Sequence, residues 1–245
     1  MSQEKKKKAS LATRTTAISS SAAGIFGALV LVLGLVSWSQ QGAYRDEETL
    51  WLQTIARNPG AWIACNGLGN LYADRKDYDE ALRWFEKCVA LKPDHAKAVN
   101  NIANIDSFQG RTAEAEAGYK RAIALDAGYF DPYYNLGDFY ANLRRYDEAV
   151  EAFRAAAKIR ASDVDVHCGL GAALASRGSD AEAVAEYKLA LSLREETETY
   201  NRLGALYVRK GALDDALALY RKAVLFDPDN RTAAAFIAGM TRKQD

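Results

Sequence analysis

Strand-forming sequence is missing from this chain of 245 residues: no run alternates Val, Ile or Thr with polar residues between turn signals. That excludes a sheet-based domain and leaves an all-helical one. Histidine is almost missing too. His95 and His167 are the only two, with no nucleophile motif near either, and both read as solvated or interhelical side chains. Cysteine is scarce, and Cys65, Cys88 and Cys168 have no metal-like spacing. Cys65 and Cys88 read as packing residues; a disulfide between them stays open for a chain outside the cytoplasm. Gly67-Leu-Gly69 and Gly169-Leu-Gly171 lack both a preceding strand and a third glycine, which removes the dinucleotide reading. Net charge is absent as well. Beyond residue 39 the chain has 27 basic and 31 acidic residues, a net of −4, and so no excess of basic residues for a nucleic-acid face. No cofactor, metal or enzymatic activity is expected.

What is present is a period. Residues 130–163 read as two helices joined by a tight turn at 142–145. Asp131 is placed to cap the first helix and Pro132 to occupy its first turn. Tyr133, Leu136, Gly137 and Tyr140 form one helical stripe; Tyr146, Ala149, Phe153, Ala156 and Ile159 form another. Gly69, Ala103, Gly137, Gly171 and Gly204 repeat at intervals of 34, 34, 34 and 33 residues. In phase with them run Ala81, Ala115, Ala149, Ala183 and Ala216, and then Phe85, Tyr119, Phe153, Tyr187 and Tyr220. Small residues at fixed places let two helices approach, and the aromatic fills the space beside them.

These columns resemble the tetratricopeptide repeat (TPR) family over roughly residues 62 to 230. The resemblance implies an all-α, right-handed superhelix (α-solenoid). Five helix-turn-helix repeats are expected at 62–95, 96–129, 130–163, 164–196 and 197–230, with a capping helix at 231–245. Ala103 stands where Gly is usual, Asp106 where Tyr or Leu is, and Ala127, Ala161 and Glu195 where Pro is. One residue is deleted at the end of repeat four.

Upstream, residues 1–17 form a basic tail containing Lys5 to Lys8 and Arg14. Residues 18–38 carry no charge. As a helix this stretch spans roughly 26 to 32 Å, against a bilayer core of about 30 Å. We expect a transmembrane helix with a cytoplasmic N-terminus and extracytoplasmic (periplasmic) repeats; a cleaved signal peptide is the competing reading. Residues 39–61 form a linker and a half-repeat helix. This junction also resembles the one that leads from the last membrane helix into the TPR tail of polytopic bacterial glycosyltransferase-like proteins and transmembrane-TPR O-mannosyltransferases. That resemblance implies an alternative role, as the substrate-recognition tail of a transferase system whose catalytic part lies in another chain.

Asparagine carries the functional signal. Six of ten fall at related places on first helices: Asn66, Asn70, Asn100, Asn101, Asn104 and Asn135. Asn is a poor residue inside a helix. A row of amides has donors and acceptors for the backbone of an extended peptide. The pattern resembles the asparagine ladder of O-GlcNAc transferases, with Asn101 and Asn135 at the ladder position and Gly67, Gly169 and Arg202 interrupting it. The competing reading is local hydrogen bonding to the next repeat. Tyr134 and Asp138 complete the candidate groove. Asp74, Asp131 and Asp165 make it mildly acidic, which suits a neutral or basic partner. The expected function is a membrane-anchored scaffold that binds a protein or peptide, extended or helical, in a concave groove. Asn230-Arg231-Thr232 also matches a glycosylation sequon.

Overall fold

The computed structural model describes residues 47–241. The expected membrane segment at 18–38 lies outside them. No helix among the described residues is long and apolar enough to cross a membrane. Twelve helices and no strand are present among these residues. Helix α1 covers 47–57. Five pairs follow: α2 (Trp62–Asp74) with α3 (Tyr78–Leu91), α4 (Ala96–Phe108) with α5 (Thr112–Leu125), and α6 (Phe130–Asn142) with α7 (Tyr146–Ile159). Then come α8 (Val164–Arg177) with α9 (Asp180–Leu193), α10 (Thr197–Arg209) with α11 (Leu213–Phe226), and last α12 (Arg231–Thr241). Within each pair the two helices pack most extensively on each other, and each second helix packs next on the first helix of the following pair.

The pairs close on the small-residue and aromatic columns. A Cβ added at Gly69 would stand 2.5 Å from the Phe85 ring, one at Gly137 2.8 Å from Phe153, and one at Gly171 2.9 Å from Tyr187. Phe153 is wedged on two sides, since a Cβ at Gly169 of the next pair would also lie 2.8 Å from it. In the second pair Ala103 takes the glycine's place. The space is returned from the facing helix, where a Cβ at Gly118 would sit 2.7 Å from that of Ala103. The other departure, buried Asp106, is held by Arg111 through Nε at 2.8 Å and Nη2 at 2.6 Å. An ion pair there replaces the aromatic contact made in the third pair, where Arg145 lies over the Tyr140 ring at 4.4 Å.

The turns within pairs share one hydrogen-bond pattern. The backbone N–H groups of Asp77, Arg111, Arg145, Ser179 and Ala212 donate to the carbonyls of Tyr72, Asp106, Tyr140, Leu174 and Tyr207, at 2.8 to 2.9 Å. This six-to-one bond needs a left-handed residue just before the donor. Gly110, Gly178 and Gly211 meet that need; Lys76 (φ 62°) and Arg144 (φ 59°) meet it with a side chain. The turns between pairs keep their geometry without proline. Asp126, Arg160 and Arg194 donate to Ala122, Ala156 and Ala190, just as Lys92 before Pro93 donates to Cys88. The deletion is absorbed by shortening one linker to residues 194–196.

One reading is corrected, and the sequon finds a structural role. Tyr129, not Asp131, is the N-cap of α6, and no side chain caps it; Asp131 and Pro132 lie in the first turn. The sequon asparagine, Asn230, is buried and caps α12 by accepting from the Ala233 N–H at 3.0 Å, so it is not presented for modification. The cysteines are free; Cys65 and Cys88 are fully buried, and burial pushes the Cys88 thiol up to about 11. His167 is interhelical, with one ring nitrogen 2.7 Å from Glu186 and the other 2.9 Å from the Ala161 carbonyl. At the open ends, Trp51 of α1 covers Gly67 and Phe236 of α12 lies 4.7 Å from Tyr220.

The left-handed column yields a stability test. Arg144→Gly removes the strain of a side chain at positive φ and should stabilise the fold by about 0.5–1 kcal/mol net of the unfolded-chain entropy of glycine. Gly178→Arg should do the reverse by a similar amount. Urea unfolding of the two variants checks both signs.

Candidate peptide-binding groove

Which side of the stack is concave follows from the contacts. First helices of successive pairs touch one another (α4 with α6, α6 with α8, α8 with α10), and successive second helices make no comparable contact. The first helices are therefore crowded together, and the stack bends with them on its inner wall.

On that wall the candidate asparagines divide. Asn100 is 2% exposed and lies between helices. It accepts from Asn135 Nδ2 at 3.2 Å and donates to Asn101 Oδ1 at 3.5 Å, the outer edge of hydrogen-bonding distance. Asn101 Nδ2 donates in turn to Asn70 Oδ1 at 3.1 Å. A chain of amides thus runs from α6 through α4 to α2 and ties three first helices together. Asn66 is half-buried, and its side-chain oxygen, like that of Asn201 in the same column, has no hydrogen-bond partner among the described residues.

The expectation that the positions flanking the Leu-Gly pair face the groove is thereby corrected only for the candidates before the pair. Asn100 is withdrawn from the groove, Asn101 donates across to Asn70 while accepting from Asn100, and Asn135 donates across to Asn100. Those positions lie where one first helix crosses the next, so their side chains meet protein before solvent. The row that does face solvent lies just after the pair, one turn further on: Asn70, Asn104 and Asp138 are all exposed. Asn104 accepts from the Tyr119 hydroxyl at 2.9 Å, which leaves its amide nitrogen outward. The Asn70 oxygen is likewise taken by Asn101, and its nitrogen makes no bond among the described residues.

The acidic groups also divide. Asp165 lies 3.4 Å from Arg194, and Asp131 3.8 Å from Arg160. Asp74 and Asp138 have no ion pair among the described residues. The crowded wall pushes the Asp138 carboxyl upward, opposed by the Tyr134 hydroxyl and Arg202. Tyr134 is half-buried, stacks 6.0 Å from Phe130 and meets Phe153 edge-on at 5.7 Å. Burial first, and then Asp138, push its hydroxyl up to about 12. It shares a depression of about 250 Å³ with Asp138, Cys168 and Arg202. Tyr133 and Tyr140 line the opposite, outer face.

A larger depression on the inner wall, about 590 Å³, joins Asn70, Asn101, Asn104 and Asp74 to Tyr78 and Phe108. Phe108 is 71% exposed and packs on Tyr78 at 4.7 Å. Sequence reasoning missed it. Its signal was a column in which the other members, Asp74, Asn142, Ser176 and Arg209, are all polar.

The split between buried and outward amides is measurable. Asn100→Ala should cost about 1–2 kcal/mol, because it strands the Asn135 donor and breaks the interhelical chain. Asn70→Ala, at the exposed end, should stay within about 0.5 kcal/mol of the parent. Equilibrium unfolding in urea distinguishes them.

Family models described as tetratricopeptide repeat match residues 61–127, 130–163 and 197–230, together more than half of the chain. No curated protein matches it. Among solved structures, YrrB, described as a TPR protein with an unusual peptide-binding site, superposes with a TM-score of 0.66 at 21% identity, over 76% of this chain and 96% of YrrB. MamA from Desulfovibrio magneticus RS-1 gives 0.62 at 17% identity, over 76% of this chain and 98% of the other. A chain of the Cut9–Hcn1 assembly of APC/C gives 0.62 at 20% identity, over 84% of this chain and 41% of that one. At these identities the likeness is one of fold.

Proposed function

From the premise that this chain belongs to the tetratricopeptide repeat family, we propose that it is a non-enzymatic scaffold that holds an extended segment of a partner protein along its inner wall. One observation carries this reading: Asn70 and Asn104 stand exposed at equivalent places with their amide nitrogens outward, flanked by the unpaired carboxylates of Asp74 and Asp138. Outward amides donate to the carbonyls of an extended backbone whatever its side chains are. Unpaired carboxylates favour a neutral or basic segment over an acidic one. Phe108 and Tyr78 add an aromatic surface for an apolar side chain beside that backbone. YrrB, with the same fold, has a peptide-binding site, which supports the same use here.

Residues 18–38 anchor the scaffold in a membrane, with the basic residues 1–17 on the cytoplasmic side and the repeats on the other. The uncharged length of 18–38 and the basic stretch before it support this placement.

The test uses the full chain in detergent. Capture from solubilised membranes, followed by fluorescence anisotropy with extended peptides from the captured protein, compares the parent with Asn70→Ala/Asn104→Ala and with Asp74→Asn/Asp138→Asn. The first variant should weaken binding at least fivefold with unchanged helicity. The second should weaken basic peptides more than neutral ones. Equal affinity across all three proteins would overturn the groove. Capture of a membrane transferase with many spans would favour the alternative role, as its recognition tail.

A further inference from the structure

The outer face carries the same depression twice, and the two copies differ in one telling respect. In the fifth pair it has a volume of about 430 Å³ and is walled by Tyr200, Leu203 and Tyr207. Two lysines reach over it. Lys222 Nζ lies 5.4 Å from the Tyr200 ring centre and 3.9 Å from Glu195, and Lys188 Nζ lies 5.9 Å from the Tyr207 ring. In the third pair the corresponding depression has about 410 Å³ and is walled by Tyr133, Leu136 and Tyr140. The counterpart of Lys222 there is Ala155. The counterpart of Lys188 is Lys120, which is drawn away to Glu116 at 2.6 Å. Glu116 also holds Arg145 at 2.7 Å and the Tyr140 hydroxyl at 2.9 Å, and these partners, Lys120 foremost, lower its carboxyl to about 2. The floor around Tyr133 is therefore apolar and uncovered.

The rim is acidic. Asp147, Glu148 and Glu151 surround this depression, and the side chains of Asp147 and Glu151 are 84% and 73% exposed. The nearby arginines are divided among several carboxylates: Arg145 between Glu116 and Glu148, Arg154 between Glu151 and Glu182, and Arg177 between Asp147 and Glu182. Five carboxylates thus share Lys120 and three arginines, and the rim keeps a negative charge.

We propose that the outer depression of the third pair docks a basic segment of a partner protein, which places an aliphatic side chain on Leu136 and Tyr133 with a lysine or arginine beside it against the rim. The fifth pair shows the chemistry. There the chain itself lays a lysine stem across the tyrosine and its ammonium toward a carboxylate; in the third pair those groups have to come from outside. This surface is distinct from the inner wall and does not depend on the function proposed for it.

The test uses three blocked synthetic helical peptides of the same length, presenting Leu with Lys, Leu with Glu, or Ser with Lys on one face. Binding to the full chain is read by fluorescence anisotropy. The Leu/Lys peptide should bind, with the other two at least tenfold weaker. Ala155→Lys, which restores the residue of the fifth pair, should weaken the Leu/Lys peptide at least tenfold. Ala155→Ser should bind like the parent, as should Asn70→Ala/Asn104→Ala, and both Ala155 variants should match the parent in thermal melting. Three results would overturn the proposal: no binding of the Leu/Lys peptide, equal binding of the Leu/Glu peptide, or parental affinity in Ala155→Lys. Sedimentation that shows the parent self-associating and Ala155→Lys monomeric would also overturn it, by giving the surface to a second copy.

Discussion

An aromatic ring pressed on a residue with no side chain holds four of the five helix pairs of this protein together. Phe85, Phe153, Tyr187 and Tyr220 of the second helices lie against Gly69, Gly137, Gly171 and Gly204 of the first, at distances that leave no room for a Cβ at the first three and only a tight fit at Gly204. The contact sets how closely the helices approach, and burying a large ring makes the approach favourable. Because Phe153 also fills the space beside Gly169, the same ring sets the spacing to the next pair. Stability in such an array is a sum of unit and neighbour terms, so one type of contact, repeated, specifies the whole stack. The pair that departs from the rule keeps its geometry: Ala103 adds a methyl group on one helix, and Gly118 removes a side chain from the other.

The functional surfaces are by-products of that stacking. Curvature crowds the first helices, so side chains near their crossing points meet one another before they meet solvent. The amide chain from Asn135 through Asn100 and Asn101 to Asn70 results. It ties three first helices together and leaves the row one turn away facing solvent. On the outer face the helices diverge and leave a depression between second helices. Whether it is covered depends on single positions: Lys222 in one unit, Ala155 in another. A repeat protein can thus build two unlike surfaces from one scaffold by changing residues that carry no load in the fold.

Function and stability draw on different columns. The Gly, Ala and aromatic columns are committed to packing. The turn column needs a left-handed residue, and two units accept Lys76 and Arg144 there despite the strain. The wall columns hold Asn, Asp, Gly and Arg, and part of them is committed to packing too: Gly67 lies under Trp51 and Gly169 against Phe153.

The periodicity of small and aromatic residues was enough to determine the helix pairs, their order and their faces, because burial in a two-helix unit is a local problem with a fixed spacing. Which asparagines meet solvent was not legible. Neighbouring positions on one helix differ by about 100° in direction, and only the crossing angle with the next unit decides which of them is covered. Asn100 and Asn104, alike in composition and one turn apart, therefore ended on opposite sides of that boundary. The same holds for Phe108 and for the bare depression beside Ala155: exposure is a property of the assembled neighbours, and tertiary packing alone sets it.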